Sequence, residues 1–310
     1  NVLPIPGLTT SKNVYDSTEF QKLEKAPKTL GIIGGGNIGL EFANLYARLG
    51  VKVTVIDFAP GILGREDKDI AELAQGYLEE AGIEFKFGTA TKEIRNNGEL
   101  VVVDTEKYDP LEFEAVLHAT GRRANTEGLG LENTDIELRP NGTIVVDEFC
   151  QTAVENVFAV GDVNGGLQFT YVSLDDFRVV NGYLHGNKEY TTADRKNVPY
   201  STFISPALSH VGLHKEEAEA AYPNVAVASL PVANMPRGAV NQDPRGLFRV
   251  TVDKDTNLIL GATLFGKNSE EIINLIKMAI DNKIPYTYIR DQIFTHPTMA
   301  ENLNDVFKLI

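Results

Sequence analysis

The sequence contains a single cysteine, Cys150, no tryptophan and no apolar run long enough to cross a bilayer. One thiol cannot form an internal disulfide, which excludes a disulfide-stapled secreted fold and favours a reducing compartment. A membrane partner is not expected either, because neither a spanning segment nor a secretory signal is visible. We therefore expect a cytoplasmic protein.

Positive charge is also scarce. The 310 residues include 29 Lys and Arg against 43 Asp and Glu, which gives a formal net charge of −14. Because nucleic acids and anionic membranes repel such a surface, neither is an expected partner. No group of His and Cys has metal-ligand spacing, so no metal site is expected. The length allows two domains or a little more, with a substantial buried core.

One stretch, residues 29–57, has the pattern of a nucleotide-binding unit and reads TLGIIGGGNIGLEFANLYARLGVKVTVID. The apolar run at 30–33 predicts a strand, the periodic segment up to Leu49 predicts a helix, and the β-branched run at 51–56 predicts a second strand. The glycines between the first strand and the helix have G-x-G-x-x-G spacing. In this context the spacing predicts a dinucleotide site rather than an ordinary turn.

Each glycine of the motif has a mechanical role. Gly34 permits the tight turn, Gly36 lets a pyrophosphate approach bare backbone, and Gly39 lets the helix pack close to the strand. The N-terminus of the helix adds unpaired N–H groups and a partial positive charge for the phosphates. The predicted dinucleotide-binding turn consists of Gly34, Gly35, Gly36, Asn37, Ile38 and Gly39.

Asp57 ends the second strand and refines the choice of cofactor. A carboxylate at this position can accept both ribose hydroxyls of NADH, and it would repel the 2′-phosphate of NADPH. No Arg or Lys follows until Arg65. We therefore predict NADH rather than NADPH; the alternative is that Asp57 merely ends a strand.

The pattern continues as a Rossmann-like α/β domain over about residues 12–118. Residues 66–81 predict a helix and residues 83–87 a strand, so strands and helices alternate as in a parallel sheet. Residues 93–104 and 112–117 predict further strands in an antiparallel appendage.

A second strand, turn and helix pattern follows. Residues 144–146 predict a strand, and residues 156–162 predict a buried strand that ends in Gly161-Asp162. A helix is expected from about 170 to 185. A carboxylate at the tip of a strand, before a glycine loop and a helix, again suits a ribose-like or ribityl hydroxyl chain.

From about residue 197 the pattern is that of an α+β unit of ordinary domain size. Its predicted helix at 270–282 carries an apolar belt wider than one helix face. Such a belt packs either on its own core or on a second subunit, and both interpretations stay open.

Four separated phrases fit one family together. They are GGGNIGLE at 34–41, ATGR at 119–122, the segment from Thr152 to VFAVGD ending at 162, and THPTMAE at 295–301. With these phrases the chain resembles the flavin-dependent pyridine nucleotide–disulfide oxidoreductases, the group that contains glutathione reductase, lipoamide dehydrogenase and mercuric reductase. Its details are more similar to the bacterial branch associated with reactive-chlorine stress and hypothiocyanous acid reduction than to lipoamide dehydrogenase.

The resemblance implies a cofactor role for two groups of residues. Residues 34–41, including Glu41, and Asp57 would hold NADH, with Gly121 at the far wall of the site. A second cofactor, FAD, would meet the following residues: Gly161 and Asp162 at its ribityl chain, and Gln168, Phe169 and Thr170 at its ring.

The resemblance also implies a catalytic pair, His296 and Glu301, that reaches from one subunit into the active site of its partner. A histidine can take and return a proton at a thiol near neutral pH, and a carboxylate fixes its tautomer. A homodimer is therefore implied, acting on a small-molecule oxidant or disulfide.

The family's first flavin-binding glycine motif and its Cys-x4-Cys pair are not found in this sequence. We therefore expect the chain to be the C-terminal two thirds of such an enzyme and to be inactive alone. The expected domains are a remnant of the FAD domain at 1–11, the NADH domain at 12–118, the rest of the FAD domain at 119–196 and the dimerisation domain at 197–310.

Two alternatives remain at this level. In the first, the chain is a product that binds NADH and dimerises without catalysis; in the second, it is a flavin-free Rossmann dehydrogenase whose second domain binds substrate. The second alternative leaves Gly161-Asp162 and the pair His296 and Glu301 unexplained.

Overall fold

The computed structural model describes residues 3–310, which divide into two compact units. Of the described residues, 121–196 form one unit, and 3–120 together with 197–310 form the other. The predicted α/β class, with a parallel Rossmann-like sheet and a C-terminal antiparallel sheet, is confirmed. The four domain bounds given above stay predictions.

The first part of the larger unit, residues 3–120, is built on two sheets. Its strands are β1 (Val14–Tyr15), β2 (Thr29–Ile33), β3 (Lys52–Ile56), β4 (Ile83–Lys86), β5 (Thr91–Asn97), β6 (Leu100–Thr105), β7 (Leu111–Phe113) and β8 (Ala115–His118). Its helices are α1 (Ser17–Phe20), α2 (Asn37–Arg48) and α3 (Lys68–Glu80). The parallel sheet has the order β1-β8-β2-β3-β4, and an antiparallel sheet has the order β5-β6-β7.

The parallel sheet is stable because its central strand is apolar on both faces. β2 lies between β8 and β3, and its Leu30 and Ile32 are fully buried. Such continuous burial is typical of a parallel strand that helices cover on both sides. α2 contributes one buried face, with Gly39, Leu40 and Ala43 turned inward. The glycine turn is thus held between a buried strand and a well-packed helix.

The predicted strand at 112–117 is split in the structure. Residues 111–113 pair with the antiparallel sheet, whereas residues 115–118 pair in parallel with β2. The backbone N–H of Glu114, between them, bonds to Thr29 Oγ1 at 2.9 Å. One apolar run therefore serves two sheets, which a pattern of alternating residues does not reveal.

The smaller unit, residues 121–196, contains one long helix, α4 (Thr170–Leu184), and otherwise mostly short turns. The predicted strands at 144–146 and 156–162 are wrong. The chain makes only isolated bridges there, between Leu138 and Ile144 and between Gln151 and Phe158. A strand needs an aligned partner over several residues, and these apolar runs lack one within the described unit.

The second part of the larger unit, residues 197–310, is a helix-covered antiparallel sheet of order β11-β12-β13-β10-β9. Its strands are β9 (Tyr200–Thr202), β10 (Leu208–Gly212), β11 (Val225–Pro231), β12 (Leu247–Asp253) and β13 (Leu258–Phe265). Its helices are α5 (Lys215–Ala221), α6 (Pro236–Val240), α7 (Ser269–Asp281), α8 (Tyr286–Arg290) and α9 (Asn302–Phe307).

α7 has an apolar surface on more than one side. Ile272, Ile273 and Ile276 are buried in the core with the sheet. On the other side, Leu275 is 41% and Met278 61% exposed. The apolar belt thus packs on its own core and leaves a second apolar strip at the surface.

None of the helices in residues 3–310 combines the length and the hydropathy that a membrane crossing requires.

Candidate nucleotide-binding and acid–base sites

The three motif glycines occupy positions where a larger side chain does not fit or would block access. Gly34 has φ +107°, and a Cβ there would lie 2.5 Å from Ala119 O. A Cβ on Gly39 would lie 1.9 Å from Gly34 O, so the helix start and the turn touch through bare backbone. A Cβ on Gly36 would meet nothing within 4 Å, and Gly36 is the N-cap residue of α2, so no side chain caps this helix. The turn can therefore present free backbone N–H groups to a phosphate.

Asp57 is fixed directly beside this turn. Its Oδ2 accepts a hydrogen bond from Gly35 N–H, and its Oδ1 accepts one from Ala59 N–H at 2.7 Å. Both bonds come from backbone, so the carboxylate has one orientation at the C-terminal end of β3. Each carboxylate oxygen can accept further bonds, which leaves it able to bind hydroxyl groups.

The other residues predicted to bind NADH lie on α2 and in the smaller unit. Asn37 and Ile38 are the first two residues of α2. Glu41, one turn further, accepts the N–H of Phe203 at its Oε1, at 2.9 Å. Burial raises the pKa of Glu41, and that hydrogen bond opposes the rise. Gly121, with φ +94°, belongs to the smaller unit.

In the smaller unit, Gly161 and Asp162 lie in a short 3-10 turn that is tied to α4. The N–H of Gly161 bonds to Asp176 Oδ2 at 2.7 Å, and Asp176 is 1% exposed. A Cβ on Gly161 would lie 2.7 Å from Ser173 Oγ, in the first turn of α4. The Asp162 carboxylate itself forms an ion pair with Arg122 at 3.2 Å.

The segment 168–170 leads into α4, because Phe169 is the residue before the helix and Thr170 is its first residue. Phe169 stacks on Tyr171 with ring centroids 5.0 Å apart, and its side chain makes no capping bond. The Gly161-Asp162 turn and the start of α4 are thus brought together, while Gln168 lies on the exposed loop before the helix.

Asp176 also lies near Cys150, whose side chain is fully buried. Burial, and then the nearby Asp176 carboxylate, raises the pKa of the Cys150 thiol to about 12. A thiol that stays protonated at neutral pH is a poor nucleophile. Cys150 is therefore a packing residue of this unit.

His296 and Glu301, for which an acid–base role is predicted, lie in hydrogen-bond contact. His296 Nδ1 lies 2.7 Å from Glu301 Oε2, and the second carboxylate oxygen accepts Thr298 N–H at 2.8 Å. The histidine side chain is 70% exposed, whereas that of Glu301 is 17% exposed. Nδ1 is thus directed to the carboxylate, and Nε2 is the ring atom left to exchange protons with an outside group.

Sequence reasoning missed an ion-pair network between the start of α3 and β12, in which Arg249 is buried and Asp69 is exposed. The Arg249 guanidinium bonds to Asp67 Oδ2 at 2.8 Å and to Asp69 Oδ1 at 2.9 Å. The hydrogen bond from Arg249 lowers the pKa of Asp69. Because these partners are about 180 residues apart, no local spacing could have revealed them.

A cluster of Glu66, Tyr200, His210 and His214 lies beside this network. Tyr200 donates to Glu66 Oε1 at 2.6 Å and lies 3.2 Å from His214 Nε2. Glu66, His210 and His214 bring possible metal-ligand atoms within 4.8 Å of one another. The two imidazole rings, however, are stacked at 3.6 Å and 10°. An ion binds in the plane of an imidazole ring, so this stack does not present both rings to one ion.

The comparisons with known proteins identify the family of the chain. The chain matches the model of the pyridine nucleotide-disulphide oxidoreductase family over residues 1–176 and that of its dimerisation domain over residues 198–307. It is 45% identical to the probable pyridine nucleotide-disulfide oxidoreductase RclA of Escherichia coli, covering 100% of this chain and 70% of that protein. It is 34% identical to dihydrolipoyl dehydrogenase of Bacillus subtilis, covering 97% of this chain and 64% of that protein.

A solved structure is similar over the whole chain. It is that of the HOCl-induced flavoprotein disulfide reductase RclA from Escherichia coli, with a TM-score of 0.97 and 44% identity. The match covers 100% of this chain and 71% of that one. The resemblance stated from the four sequence phrases is confirmed. This chain belongs to the pyridine nucleotide-disulphide oxidoreductase family, whose members are FAD-dependent enzymes that use NAD(P)H.

Proposed function

We propose that this chain forms the C-terminal two thirds of an NADH-dependent flavoprotein disulfide reductase. In the intact cytoplasmic enzyme, electrons would pass from NADH through FAD and a cysteine pair to a small oxidant or disulfide. The observation that carries the proposal is the glycine turn with Asp57 fixed beside it by Gly35 N–H. That arrangement offers a pyrophosphate site and a ribose site on neighbouring backbone.

The preference for NADH rests on the charge of Asp57. Its two backbone bonds hold the carboxylate in place, so it cannot turn away from a phosphate on the ribose. Two like charges about 4 Å apart repel by ~4 kcal/mol at an effective dielectric constant of about 20. The hydroxyls of NADH instead donate hydrogen bonds to the same oxygens. We expect Asp57→Ala to weaken NADH binding more than NADPH binding.

The residues of the smaller unit fit FAD. The Asp162 carboxylate is 39% exposed and can accept the hydroxyls of a ribityl chain. The uncapped start of α4 offers the positive end of a helix dipole to the electron-rich edge of a flavin ring. When bound, FAD would supply two-electron transfer between a dihydronicotinamide and thiols. Asp176 orients the turn that carries Asp162, through its bond to Gly161 N–H.

An apolar face of the smaller unit supports the assignment as part of a longer enzyme. On α4, Leu174, Phe177 and Leu184 are 53%, 57% and 60% exposed, at positions i, i+3 and i+10 of one helix face. Nearby in sequence, Leu167 is 47% exposed. Several exposed apolar side chains on one helix face mark a surface that is normally covered by protein. The covering segment in our proposal is the first part of the FAD domain, which would lie in the portion of the relatives that this chain does not span.

His296 and Glu301 would manage protons at the reacting thiol. Glu301 holds Nδ1, so Nε2 takes a proton from a thiol and returns it to the leaving sulfur or oxidant product. Such a pair, on an exposed loop, suits a site completed by a second subunit. The exposed strip of Leu275 and Met278 on α7 suits a homodimer contact. Met278→Glu is expected to convert the dimer to a monomer in light-scattering measurements, with Glu84→Gln, on an exposed strand position, as control.

Absorbance in the flavin bands distinguishes this proposal from its competitors. A yellow protein favours the flavoprotein, and NADH should bleach those bands. A colourless chain that binds NADH favours an NADH-binding, dimerising module without catalysis. Colourless turnover of a hydroxy substrate favours a flavin-free Rossmann dehydrogenase, and it would overturn the roles given to Asp162 and His296.

A further inference from the structure

Arg237 is a cation without an ion-pair partner in a strongly acidic protein. Within residues 3–310, no Asp or Glu carboxylate lies within 4.0 Å of its guanidinium nitrogens. Arg245, eight residues further, is instead held by two bonds to Asp243, at 2.7 and 2.8 Å. Because the formal net charge of the chain is −14, an unpaired positive charge stands out on this surface and attracts anions from solution.

The helix that carries Arg237 is fixed to the core. α6 begins at Pro236, directly after Met235, which is 1% exposed. A Cβ on Gly238 would lie 2.5 Å from the carbonyl oxygen of Val232, so the helix backbone rests on the turn before it. Arg237 is partly exposed between the buried Met235 and Gly238. Packing therefore sets the position of its backbone.

α6 and the loop 295–301 pack on the same spot of the core. A Cβ on Gly266 would lie 3.2 Å from Val232 Cγ2 and 3.7 Å from Met299 Cε. Val232 begins the turn that leads into α6, and Met299 belongs to the loop that carries His296. Two separate stretches of the chain are thus held side by side.

The charge of Arg237 also reaches this loop. Burial raises the pKa of Glu301, but bonds from His296 and from Thr298 N–H, together with the positive charges of His296 and Arg237, lower it overall. The guanidinium therefore lies close enough to the Glu301 carboxylate to stabilise negative charge beside the imidazole.

We propose that Arg237 is a specificity-determining residue that selects small anionic substrates, in which a carboxylate or a similar negative group lies close to the bond that is reduced. The inference rests on the proposed function, because it takes His296 to exchange protons at that bond. The Glu301 carboxylate would repel such a substrate, and the Arg237 guanidinium offsets this charge and can bind a carboxylate through two N–H groups. For a disulfide, NADH, H⁺ and R–S–S–R yield NAD⁺ and two R–SH, and Arg237 takes no part in the bond changes.

Alkylation of His296 measures the effect of this charge on the chain itself. Bromoacetate is an anion and bromoacetamide is a neutral reagent of similar size; each forms a carbon–nitrogen bond to the imidazole and releases bromide. Peptide mass spectrometry at His296 would give both rates at about 10 mM salt. We expect Arg237→Gln to lower the bromoacetate rate about fivefold and to leave the bromoacetamide rate unchanged. The difference should disappear at about 1 M salt, where charges are screened beyond about 3 Å.

Two variants control for the charge. Arg237→Lys keeps the positive charge and should keep most of the bromoacetate rate. Arg48→Gln removes the same charge from an exposed position on α2 and should behave like wild type. Alkylation of His185, which is exposed in the smaller unit, gives an internal reference for each reagent. An unchanged bromoacetate rate in Arg237→Gln, or an equal loss of both rates, would overturn the inference.

Kinetics of the intact enzyme separate this inference from the proposed function. NADH oxidation would be followed with dithiodipropionate, which carries a carboxylate on each half, and with hydroxyethyl disulfide, which is neutral. Arg237→Gln is expected to raise KM for the anionic disulfide about fivefold and to leave kcat and the KM for the neutral one unchanged. Equal KM changes for both disulfides would overturn the role of Arg237 alone. An intact enzyme that holds no flavin and oxidises no NADH would instead overturn the proposed function, whatever the alkylation rates.

Discussion

The buried His210 makes the stability of the larger unit sensitive to mild acid. It is 3% exposed, and its Nδ1 lies 2.8 Å from Thr263 Oγ1. Its Nε2 lies 3.0 Å from the carbonyl oxygen of Gly212, which can only accept, so this nitrogen carries the proton of the neutral ring. Burial, and then the stacked His214, lowers the pKa of His210 to about 4.

The sign of the effect follows from this depressed pKa. An unfolded histidine has a pKa of about 6.5, so below that value protons bind the unfolded chain more readily than the folded one. The stabilisation from neutral His210 is complete above pH 6.5 and is lost as the pH falls towards 4. At pH 5 the loss amounts to ~2 kcal/mol, from the two pKa values and the linkage relation. The hydrogen bond to Gly212 and, after it, the charges of Asp67 and Glu217 oppose the lowering of the His210 pKa but do not reverse it.

Urea unfolding of the wild type and of His210→Gln at pH 8 and pH 5 measures how much unfolding free energy His210 costs at the lower pH. Glutamine stays neutral and can still donate to Gly212 O, so the variant should lose ~2 kcal/mol less than the wild type between the two pH values. His185→Gln, at an exposed position, should behave like wild type. The same pH dependence in His210→Gln and wild type would refute the reasoning.

Three further predictions concern single sites. Gly39→Ala would put a Cβ 1.9 Å from a carbonyl oxygen of the turn. We therefore expect it to lower the unfolding free energy by ~1–3 kcal/mol and to weaken NADH binding. The control Gly76→Ala lies in open space on α3 and should raise the unfolding free energy by ~0.5–1 kcal/mol. Thermal melts and NADH titration would measure both, and a stable, binding Gly39→Ala would contradict the close packing. Cys150, with its pKa raised by burial, should react with a thiol reagent only after urea is added; fast labelling of the folded chain would refute its packing role. Glu301→Ala should lower the unfolding free energy by ~1 kcal/mol and Glu301→Gln by less, because the amide oxygen can still accept Thr298 N–H; equal losses in urea titrations would count against that bond.

Local pattern predicted the parts of the fold whose causes are local. The glycine turn, α2 and β3 follow from sterics and periodicity within residues 29–57, and they form as expected. The bond between His296 and Glu301 spans five residues, so a family phrase was enough to indicate it.

The features that the sequence did not predict depend on distant partners. The apolar runs at 144–146 and 156–162 have strand composition, yet they make only isolated bridges. Arg249 pairs with carboxylates about 180 residues away. The bond from Gly161 N–H to Asp176 likewise joins a turn to a helix that pattern analysis treated separately. Each of these requires three-dimensional proximity that residue spacing does not encode.

Calorimetric titration of the wild-type chain with NADH and with NADPH tests the cofactor site at Asp57 most directly. The fixed carboxylate predicts that NADH binds at least ~10-fold more tightly than NADPH, because the 2′-phosphate brings negative charge against it. Equal affinity for the two cofactors, or tighter binding of NADPH, would contradict that site.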